Sequence, residues 1–322
     1  DQEKTERVVI KLCFDANKFG SRLTLDDFNS DNNGSLIPDL NDDTVKTVMD
    51  SLKKKISAGL EDRVNESFLH TGPHHDDITT GYLPFIAHLV RSTQNRHHFC
   101  TLTSGFTAVT NQYVLDALVK TKQFFDDGLI QMIEYPNFFN DGYQYKWDKD
   151  VYHYLDRIAA NNLEGRQRGL SHRIVRCLVE IYEIKSKDEL KLKLDEVIKY
   201  LLSCYSGEKN TPEVQRLKGM IREFEEDLVW SHYGVQTKDV SHLRLGFYQG
   251  DIFSEDPERQ RDIIPILDKF REIEPTIITL ALDPEGSGPD THYKVLQAIA
   301  EAVRMWGKDT DLTKLKIWGY RN

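Results

Sequence analysis

Phe68-Leu69-His70-Thr71-Gly72-Pro73-His74-His75-Asp76-Asp77 decides the fold, because a strand, a break and a charged turn follow one another directly. Phe68 to Thr71 form the last residues of a short buried strand, and Gly72-Pro73 break it. Four ionisable side chains then precede an apolar helical segment. In an open α/β sheet, ligands bind where strands end in this way. A histidine and a carboxylate three residues apart, His74 and Asp77, point the same way if the chain turns helical between them, while Asp76 points elsewhere. Two such groups can hold a metal while the third handles protons. Zinc accepts imidazole and carboxylate ligands, and a catalytic site usually has three protein ligands plus a water, so a third ligand has to come from far away in sequence. The alternative is a polar strand-to-helix turn in which Asp76 or Asp77 caps the helix and the histidines face solvent.

The segment resembles the signature of the PIG-L/LmbE family of zinc-dependent N-acetylglucosaminyl deacetylases: a small residue, His, Pro, Asp, Asp, then Gly four residues on. Pro73, His74, His75, Asp76, Asp77 and Gly81 occupy those places, with His75 where the family has proline. The resemblance implies that His74 and Asp77 bind Zn2+ and that Asp76 is the general base. Thr103-Ser104-Gly105 matches the family's Thr-x-Gly element beside the metal, which makes Ser104 and Gly105 substrate-side candidates; a simple strand-terminating turn is the alternative. Arg222 and Glu225, followed by Gly234-Val235, match an Arg-x-x-Glu helix in which the arginine reaches the sugar. Without the resemblance the two would be a surface ion pair. After a late strand the family carries His-x-Asp-His, whose second histidine is the third zinc ligand, and His292 takes that place. Pro289 stands where the first histidine belongs, and Asp290 is separated from His292 by Thr291. His75 is therefore a candidate to supply the missing oxyanion imidazole, against the alternative that it faces solvent.

Composition reads as that of an ordinary soluble globular protein. The chain has 322 residues, 39% hydrophobic and 29% charged, enough for one large α/β domain or two smaller ones. No apolar run approaches the roughly 20 residues of a membrane span, and no secretory signal is visible, but the chain starts at Asp1 without a methionine, as a processed or trimmed beginning would; localisation stays open, with the cytoplasm favoured. A formal net charge of −10 argues against nucleic acid as a partner, because phosphate contacts need clustered Lys and Arg. Cys13, Cys100, Cys177 and Cys204 are far apart and form no CxxC pair, so free buried thiols are expected.

Taken in order, Lys4 to Phe19 are expected to be helical with Gly20 as a stop, Asp26 to Asp43 a loop, and Thr44 to Ile56 a second helix. Residues 1–62 thus form an N-terminal segment. They resemble the connector in two-part proteins where a glucosamine-6-phosphate deaminase domain is fused ahead of a PIG-L-type domain, which would make this chain a C-terminal piece. Residues 63–322 form the deacetylase-like domain. A helix over Tyr82 to Ser92 has Pro84 in its first turn. Strands are expected near 68, 100, 278 and 317 and over Leu243 to Tyr248. About residues 111–219 read as a helical insertion serving as lid, specificity element or oligomer contact, with a capping-box spacing at Ser186 and Glu189. Its aromatic run, Tyr135, Phe138, Phe139, Tyr143, Tyr145 and Trp147, is either core or a sugar platform. The expected class is α/β, a Rossmann-like, mostly parallel sheet flanked by helices. No GxGxxG follows the first strand, which excludes a dinucleotide fingerprint, and no GxSxG elbow is present. The leading function is zinc-dependent removal of an N-acetyl group from an amino sugar, with Arg222, Ser104, Gly105 and Asp290 on the substrate side. The alternative is a catalytically weakened amino-sugar-binding or regulatory module of a deaminase fusion protein.

Overall fold

The computed structural model describes residues 2–38, 40–205, 207–251, 254–283 and 290–321. The chain divides into two compact units, Asp1–Arg63 and Val64–Asn322.

In the first unit, helices α1 (Gln2–Asp15), α2 (Leu25–Asn29) and α3 (Asp42–Leu60) close around Val9, Phe28, Val45 and Val48, all buried. The stretch expected as loop from Asp26 to Asp43 is thus partly helical. Thr24 and Asp27 form a reciprocal capping box, with the Thr24 N–H donating to Asp27 Oδ2 at 2.8 Å. That cap nucleates a turn which sinks Phe28 into the core.

The second unit is built on five parallel strands, β1 (Ser67–Gly72), β2 (Arg96–Thr101), β3 (Val240–His242), β4 (Ile277–Ala281) and β5 (Lys316–Tyr320), in the order β3-β2-β1-β4-β5. The expected Rossmann-like α/β class is what the chain adopts. Every residue of β1 is buried, as a central parallel strand covered on both faces requires. Leu69 faces the helices α10 (Ile264–Ile273) and α11 (Asp290–Trp306), packing with Ile266, Leu267, Val295 and Ile299. On the opposite face lie α4 (Asp77–Leu89) and α9 (Pro212–His232), where Ile78, Ile86 and Trp230 meet Phe99. The Trp230 and Phe99 rings stack 3.9 Å apart.

Helix α4 starts five residues earlier than the spacing predicts and kinks at Tyr82 (φ −157°, ψ 29°). Pro84 lacks an N–H and clashes with the preceding turn, so the break falls just ahead of it and leaves it in the first turn of the second half. The strand expected over Leu243 to Tyr248 is a second departure. Pairing with β2 does continue through the Leu243 and Leu245 N–H groups to Thr101 and Leu102. Arg244, however, has φ +51°, and the Asp262 carboxylate takes the N–H groups of Gly246 and Phe247, so the ladder stops and the chain folds over the sheet edge.

Helices α5 (Asn111–Asp126), α6 (Lys149–Ala159), α7 (Leu163–Tyr182), α8 (Lys187–Ser203) and α9 share a separate core that includes Leu118, Phe124, Ile174, Leu178, Leu194 and Leu217. Ser186 caps α8 by accepting from the Glu189 N–H. The aromatic run belongs mostly to this core: Phe138 is buried, and Phe139, Tyr143 and Trp147 pack against the cluster. Arg173 lies 4.6 Å from the centroids of both Trp147 and Phe224. Tyr135 and Tyr145 are exposed.

Candidate metal centre

From β1 the chain runs outward to β2 and β3, then returns to β4 on the other side of β1, so the carboxyl ends of β1 and β4 flank the switch point of the sheet. Open α/β sheets present their ligand crevice at that place. Past β1, the Pro73 carbonyl accepts from the Thr103 N–H at 3.0 Å and from Thr103 Oγ1 at 2.8 Å. These bonds hold the following turn against the end of β2.

Three donor atoms meet there. His74 Nδ1 lies 3.4 Å from Asp77 Oδ2, His292 Nε2 lies 3.3 Å from the same oxygen, and the two ring nitrogens are 3.2 Å apart. Ligands bound at roughly 2.0–2.2 Å at tetrahedral angles are separated by about 3.3–3.6 Å, so the triangle has the dimensions of a three-ligand face. The donor set, two imidazoles and one carboxylate, suits a borderline cation such as zinc. Asp77 and His292 are buried and His74 nearly so. Asp77 Oδ2 also accepts from the His74 N–H at 2.6 Å, which ties the two ends of the turn together. His292 Nδ1 lies 2.5 Å from Asp283 Oδ2; that carboxylate fixes the ring so that Nε2 carries the lone pair facing the other two donors.

Asp76 turns the other way. Its side chain is 63% exposed, and Oδ1 accepts from an Arg222 NH2 group at 2.7 Å. Burial raises its pKa, but the Arg222 guanidinium outweighs this and holds the carboxyl below its ordinary value. Although Asp76 stands at the N-cap of α4, its side chain makes no capping bond, so Asp76 does not take the capping role weighed for this turn. Arg222 projects from α9, and its other terminal nitrogen donates to the Gly105 carbonyl at 3.0 Å. It pairs with Asp76 rather than Glu225, whose carboxylate accepts from Tyr113.

Gly105 has φ +52°, and a Cβ there would lie 2.9 Å from Arg222 and 3.3 Å from His74. Gly105→Ala is therefore expected to cost about 1–2 kcal/mol for the left-handed conformation and to push Arg222 off Asp76. Thermal unfolding together with kcat/KM reads this out; unchanged Tm and kcat/KM would mean the turn relaxes freely. Ser104 packs on Gly219 of α9.

Two predicted site residues lie elsewhere. Asp290 accepts from the Ser254 N–H and hydroxyl at 3.0 and 2.8 Å and lies 3.3 Å from Lys294, so it is engaged in fastening a loop to α11. The His75 ring does not join His74. It is 7% exposed and is turned towards Glu226 and His242, the opposite sense from its neighbour on a tight turn. Burial and the nearby His242 push its pKa well down. The solvent-facing alternative fails, and the oxyanion role expected for it finds no support in this orientation. Pro289 lies outside the described residues.

Sequence reasoning missed Asp283 and Tyr248. Asp283, two residues past β4 and nine before His292, carries no motif that would mark it. Tyr248, expected in a strand, sets its ring edge-on to His74 at 5.6 Å and to Phe106 at 5.2 Å. A cleft of about 690 Å³ adjoins Phe106, with Thr107, Asn111, Gln112, Lys209 and Asp251 along its walls. Among the described residues no helix is long and apolar enough to cross a membrane.

No family model matches the chain, and no solved structure matches it. It is similar to a protein of Bacteroides thetaiotaomicron named as glucosamine-6-phosphate deaminase-like, with 28% identity over 139 residues, which is 40% of this chain and 20% of the relative. The chain thus spans about a fifth of the length of the curated relative it matches.

Proposed function

We propose that this chain is a metal-dependent amidohydrolase that removes the N-acetyl group from an amino sugar. The observation that carries the reading is the triangle of His74 Nδ1, Asp77 Oδ2 and His292 Nε2, drawn from two strand ends more than two hundred residues apart in sequence, with edges of 3.2–3.4 Å. These three atoms would hold a divalent cation such as zinc, which would supply water acidification and carbonyl polarisation.

The chain's own groups have complementary tasks. Asp283 orients His292, so Asp283→Asn is expected to weaken zinc affinity about 10- to 100-fold, as loss of a carboxylate behind a ligating histidine does. Competition against a chromophoric chelator measures it, and an unchanged affinity would remove the orienting role. Asp76, ionised and turned to the mouth by Arg222, takes the proton from water as the oxygen adds to the acetamide carbonyl carbon. When the C–N bond breaks, it returns that proton to the amine nitrogen, and acetate leaves. The Arg222 guanidinium spans Asp76 and the Gly105 carbonyl and offers its remaining donors to sugar hydroxyls. The 690 Å³ cleft beside Phe106 is of a size suited to a sugar, but none of His74, Asp76, Asp77, Arg222 and His292 lines it, so it adjoins the reacting centre and does not contain it.

The amino-sugar class is supported by the name of the Bacteroides relative. The same match, covering a fifth of that relative, favours a second reading in which this chain is an amino-sugar-binding module and the deaminase chemistry lies elsewhere in a longer protein. Acetate release from N-acetylglucosamine derivatives, by chelator-treated protein before and after zinc is restored, separates the two. Zinc-dependent acetate release is expected; sugar binding without acetate release would favour the module.

A further inference from the structure

We propose that His75, Glu226 and His242 form a second metal site, a buried divalent-cation site on the opposite side of the turn that carries His74. Their donor atoms lie within 4.8 Å of one another. Glu226 Oε2 is 3.4 Å from His242 Nδ1 and 3.9 Å from His75 Nε2, against about 3.3–3.6 Å for ligands around one zinc ion. A small ring rotation of His75 closes the difference.

The site is built as the first one is. His242 Nε2 lies 3.2 Å from Asp227 Oδ1, the same carboxylate-behind-histidine arrangement that Asp283 makes with His292. Asp227 is itself held by Arg173 at 3.5 Å. Glu226 is aimed by the Thr101 hydroxyl at 2.7 and 2.8 Å and by the Trp230 indole N–H at 2.9 Å, which leaves Oε2 with a free lone pair directed at the two rings.

A cation is called for by what these groups lack. With its Nε2–H given to Asp227, His242 faces the Glu226 carboxylate through Nδ1, so a positive charge, a proton or a metal ion, has to lie between them. A proton on Nδ1 would serve His242, yet Nδ1 makes no hydrogen bond, and neither nitrogen of the buried His75 has a partner among the described residues. Each unmet buried polar atom is costly. A metal ion bound by Glu226, His242 and His75 answers both deficits at once and ties the His74–Asp77 turn to α9 and the end of β3. Two nitrogens and one oxygen again suit zinc.

The test counts metal. The full chain is stripped with chelator, loaded with excess zinc, desalted and measured by plasma mass spectrometry, with circular dichroism on each variant. Two zinc ions per chain are expected, one in His292→Gln, one in His75→Gln or His242→Gln, and none in His292→Gln/His242→Gln. If His75→Gln and His242→Gln do not fold, the count in His292→Gln decides, one supporting the site and none overturning it. A wild-type count of one that disappears in His292→Gln overturns the proposal. A count of one that survives His292→Gln but is lost in His242→Gln would uphold this site while removing the first.

Discussion

Asp76→Asn is expected to lower kcat for deacetylation by about 10²- to 10⁴-fold, the range assigned to a positioned general base, while zinc content stays at the wild-type level. The two effects separate because Asp76 and Asp77 face opposite ways. Asp77 is buried against both histidines, whereas the Asp76 side chain is largely exposed and hydrogen-bonded to Arg222. Asparagine keeps the shape and one acceptor oxygen for the guanidinium, so the turn should persist, but it cannot take a proton from water. Steady-state kinetics with metal analysis of the same preparation checks both halves. Zinc loss in this variant would mean that the two aspartates have been given each other's tasks.

The second large effect belongs to Asp77. Its Oδ2 faces His74 Nδ1 and His292 Nε2 and also accepts from the His74 N–H, so Asp77→Ala removes the proposed carboxylate ligand and the bond that closes the turn. Zinc affinity is expected to fall by more than the about 10²-fold that marks the upper end for residues behind the ligands, and activity with it. The remaining imidazoles would lie 3.2 Å apart with no carboxylate to balance the charge of a cation. Full activity in Asp77→Ala at limiting zinc would refute the assignment of this carboxylate.

Much of this was legible in the sequence because it depends on local signals. The buried run at β1, its Gly-Pro break and the opposed aspartates follow from strand period, turn chemistry and the spacing of a first helical turn. His292 was singled out by the resemblance, whose third ligand histidine follows a late strand, and no local period marks it. What could not be read depends on partners far away in the chain. Arg244 takes a left-handed conformation, and Asp262 captures the Gly246 and Phe247 N–H groups, so a run with strand composition folds as a loop. His75 sits between residues with site roles, yet its ring is drawn to Glu226 and His242, some 150 residues later. Glu226 gives no periodic sign that it is buried: it stands in the run Glu225-Glu226-Asp227 like a solvated face. Burial pushes its carboxyl up to about 7, against the pull of His242. Burial opposes a charge on His242 as well, but the Asp227, Glu226 and Glu223 carboxylates outweigh it and raise its pKa to about 9.

The most direct test of the central claim is anomalous diffraction at the zinc edge from crystals of zinc-loaded protein. A peak is expected within about 2.0–2.2 Å of His74 Nδ1, Asp77 Oδ2 and His292 Nε2 together, with Asp76 outside bonding distance. Fully loaded crystals with no peak among those three atoms, or with Asp76 bound in place of Asp77, would contradict it.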